Sequence, residues 1–422
     1  MNRLKQTIRL PQAIALYIGA VLGSGILLTP GLAAQIAGPA SLIAWGIMAL
    51  LVLPMGLVMG WLSTEYPHAG GVAHFVSKAF GKKASVHIGW YFLMSVVMGA
   101  PIASLTGAGY LASALGLHES AKILLAVFIL LLALILNYLG MKLSGQIQIF
   151  IVIGIIGVLV VSITSSLPQI QPTHFTPWLP HGFSSVGQAL SILFWCFIGW
   201  EAVSHLSEEF VDPKRDMVKA VTIAAVIVGL LYFLTAFATV GTTSYMGKEA
   251  DTALIGIMYR MFGTTGSLVM GITSFLICTA TVITYVGAAS RLAYALGREG
   301  DAPKWFTYLS PKKQTPLGGL LFLAGCITVI MILYALGNIP IATLVLFPNA
   351  TFILTYLAGC AAGIRLLKHF RWGYLMSWLA FILTALAFLF AGQGIFYPLL
   401  ISIIIWMIQL NQAKNKKWNR TV

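Results

Sequence analysis

The sequence is poor in charged residues. Of its 422 residues only 9% are Asp, Glu, Lys or Arg, whereas 59% are hydrophobic. A water-soluble domain carries roughly 25% charged residues, so most of the surface of this chain must face lipid rather than water. Backbone groups in lipid must be hydrogen-bonded within the protein, which leaves α-helices or a closed β-barrel. The long, unbroken apolar runs exclude a barrel, whose strands alternate over about ten residues.

Residues for common active-site chemistry are also scarce. No two of the four cysteines form a CxxC pair, and the eight histidines show no spacing typical of metal ligands. No metal site or cofactor is therefore expected. An intramembrane enzyme would need a Ser-His or Asp-Asp pairing, and the sequence shows neither. A channel would need a repeated filter motif, which is also not seen, so a channel stays a distant alternative. The cysteines all lie in apolar runs and are predicted to be packing thiols: Cys196, Cys278, Cys326 and Cys360.

Charge-free stretches long enough to cross a bilayer, about 20 residues each, predict twelve transmembrane helices in a single domain over residues 1–422. A net charge of +14 would suggest nucleic acid as the partner of a soluble protein. Here the positions of the charges indicate topology instead, and no nucleic-acid partner is expected. With the N-terminus inside, the 25 Lys and Arg residues all lie inside except Lys122, Lys248 and Arg260. This pattern follows the positive-inside rule and places both termini in the cytoplasm. The inner residues include those near the ends of the chain: Arg3, Lys5, Lys416 and Lys417.

The first and sixth predicted helices contain helix-breaking residues near the middle of the membrane. These are Gly23-Ser24-Gly25 in the first and the run from Phe197 to Glu201 in the sixth. Glycine costs about 1 kcal/mol relative to alanine inside a helix, so we predict local unwinding; the alternative is close helix packing. Interrupted spans at matching positions indicate an inverted repeat with a transport site at the midplane. We expect one five-helix repeat at about 10–166, a second at about 185–364 and two added helices at about 372–411.

An unwound helix can hold a zwitterion without charged side chains. The N–H groups that begin its second half face an anion, and the carbonyls that end its first half face a cation. Gly23, Ser24 and Gly25 are therefore predicted to receive a carboxylate, and the carbonyls near Val21, Trp195 and Ile198 an ammonium group. The predicted substrate site comprises residues of both breaks: Val21, Gly23, Ser24, Gly25, Ile26, Trp195, Phe197, Ile198 and Gly199.

Glu201 is the exception to the lack of charge, because it follows a long uncharged run and lies at the second break. An ionisable residue at membrane depth suggests a function. Glu201 is predicted to be a gating or proton-linked acid, with His205 four residues on and on the same helix face. The alternative is that it satisfies backbone N–H groups beside the break. Three aromatic residues are candidate gates, and ordinary packing is the alternative for each: Trp195, Trp200 and Tyr285.

Several short motifs of the sequence resemble those of the amino acid–polyamine–organocation superfamily of transporters. Its first helix is matched by Gly23-Ser24-Gly25-Ile26 followed by Pro30, and its second loop by the segment Tyr66-Pro67-His68-Ala69-Gly70-Gly71. Further matches are the sixth helix and the loops that follow helices six and eight: 197–201, 209–216 and 290–304. Segments such as 70–75 and 194–197 are most similar to bacterial exporters of methionine and branched-chain amino acids.

The resemblance implies a LeuT-like fold in the inner membrane and a neutral, apolar amino acid as substrate. By similarity to arginine/agmatine antiporters, Ser24 would contact the carboxylate, Trp195 and Tyr285 would be gating aromatics, and Glu201 a gating acid. Proton-coupled relatives carry a lysine in helix five, whereas 149–158 is uncharged here, with Ile155 near that place. The energy source stays open between protons and a sodium ion held by first-helix carbonyls and the hydroxyls of helix eight; of these we expect export by proton antiport. The alternatives are amino-acid exchange without ion coupling and import of other small neutral amino acids.

Overall fold

The computed structural model describes residues 6–246, 253–337 and 341–407, with the side chains of 141–145, 147–148 and 342 left out. Several residues used to predict topology lie outside these ranges: Arg3, Lys5, Lys248, Lys416 and Lys417. Apart from one isolated bridge between Ile8 and Phe210, the regular structure of the described ranges is helical. The chain is therefore an all-α protein in this part, as its composition predicts.

The helices follow one another with short connections. In chain order they are α1 (Leu10–Val21), α2 (Ser24–Ala37), α3 (Ser41–Glu65), α4 (Gly71–Phe80), α5 (Lys82–Leu115), α6 (Glu119–Leu139), α7 (Met141–Ser166), α8 (Phe183–Leu193), α9 (Trp200–Ser204), α10 (Pro213–Gly241), α11 (Ala253–Glu299), α12 (Leu317–Gly337), α13 (Ile341–Leu366), α14 (Arg371–Phe388) and α15 (Gly392–Met407).

Most of these helices are long and apolar enough to cross a membrane. Ten such segments occur in the described ranges, and one of them, the 56-residue stretch Leu10–Glu65, contains α1, α2 and α3. The last helix, Gly392–Met407, is apolar but shorter. The protein is therefore a multi-pass membrane protein. The short helix α4, which follows the loop 66–70, was not anticipated from the sequence.

Local sequence explains where individual helices begin. Helix α10 starts at Pro213, whose fixed φ suits the first helical position. The side chain of Asp212 accepts the N–H of Arg215 at 3.1 Å and so caps the helix. Helix α5 ends where Gly116 adopts a left-handed conformation with φ 64°. Each of these signals depends only on residues near the end of the helix, so it does not depend on where the helix lies in the membrane.

The long helices α5 and α11 form the centre of the molecule, and α11 is kinked at Gly263, where φ is 61° and ψ −147°. They pack extensively on each other, and α5 also contacts α13, α6 and α4. The half-helices α1 and α9 lie against this centre, α1 next to α10 and α7. The outer helices expose large apolar side chains, for example Leu131 on α6, Phe150 on α7 and Ile332 on α12. Those side chains are suited to lipid contact, which leaves the polar groups in the interior.

A buried ion pair joins the centre to the segment after α9. The guanidinium of Arg291 on α11 donates to the carboxylate of Glu209, and both side chains are almost fully buried. A second donor nitrogen of Arg291 bonds the carbonyl of Gly287 at 3.1 Å. The backbone carbonyl of Glu209 accepts N–H groups from Thr7 and Ile8. Glu209 therefore joins the N-terminal segment, which bonds its backbone carbonyl, to α11, which bonds its carboxylate.

We expect Arg291→Met to destabilise the fold strongly, because it leaves the Glu209 carboxylate buried without a charged partner. Removal of one member of a buried pair costs about 3–5 kcal/mol. The measurement is thermal unfolding of the detergent-purified protein. Lys82→Met is the control, because Lys82 pairs with Asp301 at 3.0 Å while its side chain is 63% exposed, and exposed pairs contribute about 0–1 kcal/mol. Equal losses in the two variants would contradict the prediction.

Candidate functional site

The first helix break lies between α1 and α2. Helix α1 ends at Val21 and α2 begins at Ser24, so Leu22 and Gly23 are the interrupted residues. Gly23 is extended, with φ −97° and ψ −152°. The prediction that Gly25 is unwound is wrong, because Gly25 lies in the first turn of α2. The break is thus displaced towards the N-terminus, and Ser24, Gly25 and Ile26 present the first N–H groups of a helix.

The second break lies between α8 and α9. A short 3-10 turn, Phe194–Phe197, follows α8, and Ile198 is then extended with φ −74° and ψ 143°. Gly199 has φ 139°, a conformation that favours glycine, and Trp200 begins α9. Helix α9 is only five residues long and ends at Ser204.

Glycines allow the two breaks to touch. A Cβ atom added to Gly25 would lie 2.6 Å from Cα of Cys196, and one added to Gly199 would lie 2.9 Å from the carbonyl carbon of Ala20. Neither distance is compatible with a side chain, so each break presses a glycine against the backbone of the other. This reciprocal contact forms the centre of the candidate site.

Hydroxyl groups from neighbouring helices complete the contact. The hydroxyl of Tyr232 on α10 contacts the carbonyl of Val21 and also lies 3.0 Å from the carbonyl of Cys196. Thr281 on α11 donates to the carbonyl of Gly19 at 2.8 Å. Thr29 and Cys196 lie within hydrogen-bond distance, 2.7 Å from Oγ1 to Sγ. Carbonyls that the interrupted helices leave unpaired are thus partly satisfied by side chains.

A central cavity of about 40 Å³ lies beside the breaks. Seven of the predicted site residues line it: Val21, Gly23, Ser24, Gly25, Trp195, Ile198 and Tyr285. The other predicted residues do not: Ile26, Phe197, Gly199, Trp200, Glu201 and His205. Since one water needs roughly 10–15 Å³ measured in this way, the cavity as it stands holds only a few waters.

The start of α2 faces this cavity without a cap. The first N–H groups of a helix have no partner within the helix, and no side chain in the described ranges caps α2. The indole N–H of Trp195 donates to the hydroxyl of Ser24 at 3.1 Å. Uncapped amides, a hydroxyl and an indole N–H therefore converge on one wall. Such a wall is suited to an anion.

The Val21 carbonyl was predicted from the sequence to contact an ammonium group, but in the structure it has other partners. It accepts the N–H of Gly23 at 2.7 Å and is also contacted by the hydroxyl of Tyr232. A carbonyl oxygen has two lone pairs, so these donors occupy its capacity in this conformation. Tyr232 was missed because it lies on α10, far away in sequence.

Glu201 is fully buried beside the second break. Its Oε2 accepts the N–H of Gly199 at 2.9 Å and is contacted by the hydroxyl of Tyr356, and its Oε1 accepts the hydroxyl of Tyr285 at 3.1 Å. The contact with Gly199 is the backbone-satisfying role considered above. The contact with Tyr285 links the acid to a ring that lines the cavity, so a gating role stays a prediction.

His205 does not lie where the sequence suggested. Its Nδ1 lies 3.1 Å from the carbonyl of Ala69, its ring centroid is 4.4 Å from that of Phe92, and it packs against Gly71. No hydrogen bond joins it to Glu201 within the described ranges. The predicted shared helix face does not form, because the N–H of His205 bonds the carbonyl of Ala202, three residues back, and this tighter turn rotates residue 205 away from the α-helical position above Glu201.

Two further predicted residues pack away from the cavity. Trp200 is fully buried and stacks on Tyr17, with ring centroids 5.9 Å apart. Phe197 packs edge-on against Trp45 and Tyr232. Both rings therefore have the packing role that was the alternative for them in this conformation.

One wall of the cavity was missed by sequence reasoning. Helix α5 contributes Val96, Gly99, Ala100 and Ala103, and α13 contributes Phe352. The four α5 positions have the spacing of one helix face. That periodicity was visible in the sequence, but nothing there showed what the face meets. The wall is apolar and is built of small residues.

Loop 66–70 brings potential metal ligands together. In the described ranges, atoms of His68, His74 and Glu299 lie within 4.8 Å of one another. The N–H of Gly70 donates to Nδ1 of His68 at 2.9 Å. A guanidinium nitrogen of Arg298, which can only donate, lies 2.8 Å from Nε2 of the same ring, so both ring nitrogens face donors rather than a vacant metal position. These contacts oppose a cation at His68.

The same histidines predict a pH effect on stability. Burial, assisted by nearby charges, lowers the pKa of His68 and the pKa of His74 from 6.5 to about 4. Between these values the unfolded chain binds protons that the folded chain does not, so stability falls as the pH falls from about 6.5 to about 4. Thermal unfolding at pH 7 and pH 5 should show this loss, and the His68→Gln, His74→Gln double variant should reduce it.

The control for this measurement is His181→Gln, since His181 is exposed and its Nδ1 lies 3.0 Å from the carbonyl of Ile36 on α2 rather than in the loop. This control should leave the pH dependence of the unfolding temperature as it is in the unaltered protein. An unchanged slope in the double variant would show that the two rings are not responsible.

Comparison with known proteins places the chain among transporters. A family model described as amino acid permease matches residues 8–419. The amino acid permease YecA of Bacillus subtilis, whose name marks it as uncharacterised, is 35% identical over 99% of this chain and 98% of its own length. The L-methionine/branched-chain amino acid exporter YjeH of Escherichia coli is 31% identical over 97% of each chain. The branched-chain amino acid permease BcaP of Bacillus subtilis is 25% identical over 71% of this chain and 69% of its own.

Proposed function

The chain belongs to the amino acid permease family and is a transporter rather than an enzyme, and on this premise we propose that it carries neutral, apolar L-amino acids across the membrane. Methionine and the branched-chain amino acids are the proposed substrates. The single observation that carries the proposal is the uncapped start of α2, which faces a cavity enclosed by apolar walls.

The carboxylate of the substrate binds at α2 rather than at α9. Both helices begin at a break, but α9 is capped by its own Glu201, which accepts the N–H of Gly199. The hydroxyl of Tyr356 accepts N–H groups of Gly199 and Glu201 at 3.2 and 3.3 Å. Helix α2 has no such cap, and the helix dipole adds to the attraction of its free amides for an anion. The hydroxyl of Ser24 accepts the indole N–H of Trp195 and keeps its own hydrogen as a further donor to the carboxylate.

The apolar walls favour a neutral substrate with an aliphatic side chain. The residues that line the cavity include no Asp, Glu, Lys or Arg. A cationic side chain placed there would be desolvated without a partner, which costs several kcal/mol. Methionine, leucine, isoleucine and valine need no such partner, and two of the relatives described above are named for branched-chain substrates.

Substrate entry requires the aromatic walls to move, because the cavity is smaller than an amino acid. Trp195 and Tyr285 both line it, and the ring of Phe352 lies 5.7 Å from that of Tyr285 and 6.3 Å from that of Trp195, centroid to centroid. We assign these rings the gating role. The hydroxyl of Tyr285 donates to Glu201, so the protonation of the acid bears on the position of this gate.

The proposal extends to architecture and energetics. The two breaks in the first and sixth spans support a LeuT-like arrangement of twelve spans, in which two five-helix inverted repeats are followed by two helices. The excess of Lys and Arg on one side supports an inner-membrane protein with both termini in the cytoplasm. Export driven by proton antiport is the proposed direction and coupling, and exchange or import of small neutral amino acids is the alternative.

Counterflow in proteoliposomes tests the substrate class. We expect unlabelled methionine, leucine, isoleucine and valine inside the vesicles to drive the accumulation of labelled leucine, and arginine and glutamate to fail. The assay is run with and without a pH gradient, and a response to the gradient is expected for proton antiport. Efficient counterflow with arginine would contradict a neutral substrate, and absence of counterflow with every neutral amino acid would contradict the function.

The small residues that α5 contributes to the cavity wall provide a variant for this assay. A Cβ at Gly99 would be 3.4 Å from the Trp195 ring, so Gly99→Val fits but occupies space in the cavity. Overpacking costs about 1–3 kcal/mol, so the rate for leucine should fall about tenfold relative to that for alanine. Gly154→Val, on an exposed position of α7 with nothing nearby, should leave the ratio unchanged. An unchanged ratio in Gly99→Val would contradict the assigned wall.

Glu201→Gln tests the link between the acid and the gate. The amide cannot lose or gain the proton and would place a donor against either Tyr356 or Tyr285. We expect transport to fall about tenfold or more, in line with the loss of a hydrogen bond that leaves a buried group unsatisfied, and its pH profile to flatten. The readout is the counterflow rate between pH 5 and 8, with the partly exposed Glu65 changed to Gln as control. A fully active variant with an unaltered profile would remove Glu201 from the mechanism.

A further inference from the structure

A second cavity, of about 310 Å³, opens at the end of the molecule where α5 ends and α6 begins. We call it the Lys122 cavity. Its walls come from α2, α5, α6, the loop between α5 and α6, and the first residue of α13: Leu28, Leu105, Thr106, Gly109, Tyr110, Ala112, Ser113, Leu117, His118, Glu119, Lys122 and Ile341. None of these residues was predicted to be functional.

The Lys122 cavity continues the walls of the central cavity. Gly25 on α2 and Ala103 on α5 line the central cavity. One turn further along the same two helices, Leu28 and Thr106 line the Lys122 cavity. Tyr110, which lines the Lys122 cavity, donates its hydroxyl to the carbonyl of Leu27 at 2.7 Å and so joins α5 to α2 at this level. The two cavities therefore lie about one helical turn apart along the same two helices.

A pair of opposite charges lines this second cavity. The ammonium of Lys122 lies 3.0 Å from Oε1 of Glu119, and the hydroxyl of Tyr334 bonds both residues at 3.1 Å. The Lys122 side chain is only 17% exposed, whereas that of Glu119 is 57% exposed. The stem of Lys122 crosses α5 so closely that a Cβ at Gly109 would lie 3.5 Å from it. Lys122 is thus held at the cavity wall, and Glu119 is open to solution.

We propose that the Lys122 cavity is a second binding site for a zwitterionic amino acid, occupied on the way between the central cavity and the solution at this end. This inference rests on the proposed function. The carboxylate of the ligand binds the ammonium of Lys122, and its ammonium group binds the carboxylate of Glu119. An aliphatic side chain then lies against the apolar part of the wall: Leu28, Leu105, Leu117 and Ile341.

The two cavities differ in the groups that would bind the substrate, and so in the part that each plays in transport. The central cavity offers helix amides and no charged side chain, so it can hold a zwitterion only when it is closed to water. The Lys122 cavity is open to solution and uses charged side chains, whose attraction acts over a longer distance in water. It therefore binds weakly and raises the local concentration of substrate at the entrance to the narrow path.

The test compares the two faces of the membrane. Leucine transport is measured in right-side-out and in inside-out vesicles that contain the full chain. Lys122→Met and Glu119→Gln should each raise the KM for leucine about threefold to tenfold, as expected for the loss of a partly exposed charged contact. The increase should occur in one vesicle orientation, which the proposed topology predicts to be right-side-out, with the maximal rate little changed.

Two variants separate binding from general electrostatics and from folding. Arg260→Met removes a cation whose guanidinium bonds the carbonyl of Thr242, beyond the end of α10 and outside the cavity, and it should leave both KM values unchanged. Lys122→Arg keeps the charge and should restore most of the affinity.

The outcomes distinguish this inference from the function on which it rests. A KM that is unchanged by Lys122→Met, raised equally in both orientations, or raised equally by Arg260→Met would overturn the second site and leave the transporter intact. Absence of saturable leucine transport by the unaltered chain would overturn the proposed function itself.

Discussion

The structure depends on one constraint, which is that a helix broken inside a membrane has no water to satisfy its free backbone groups. Around the two breaks this is met by side chains from other helices. The hydroxyl of Tyr232 lies at carbonyls of both breaks, Thr281 bonds α1, and Tyr356 with Glu201 caps α9. The start of α2 is the exception, and under the proposed function the substrate carboxylate meets its free amides.

Close approach of the backbones is the second requirement, and it explains why glycine stands at both breaks. Gly25 faces Cys196 and Gly199 faces Ala20 at distances that admit no Cβ atom. The first turn of α2 is left beside a cavity of only about 40 Å³. Electrostatic attraction is stronger where little water is present, and under the proposed function a few amides and one hydroxyl bind the carboxylate there without a charged side chain.

Glu201 connects the backbone of the second break to the wall of the cavity. One oxygen accepts the amide of Gly199, and the other accepts the hydroxyl of Tyr285. The structural and the gating interpretations of this acid are therefore compatible, because one carboxylate serves both contacts. His205 belongs to a different set of contacts, with Ala69 and Phe92, which hold loop 66–70 against the segment after α9.

Composition and local pattern alone determined that the chain is helical, lies in a membrane and is interrupted near Ser24 and Gly199, because the scarcity of charge and the cost of glycine in a helix act within a short stretch of sequence. The resemblance of a few motifs also identified the superfamily. The tertiary structure decided the rest. It placed Val96, Gly99 and Phe352 on the cavity wall. It also made the Tyr232 hydroxyl a partner of the Val21 carbonyl and placed His205 among residues other than Glu201. These outcomes depend on which helices pack together, and the partners of a buried group in this protein lie many residues away along the chain.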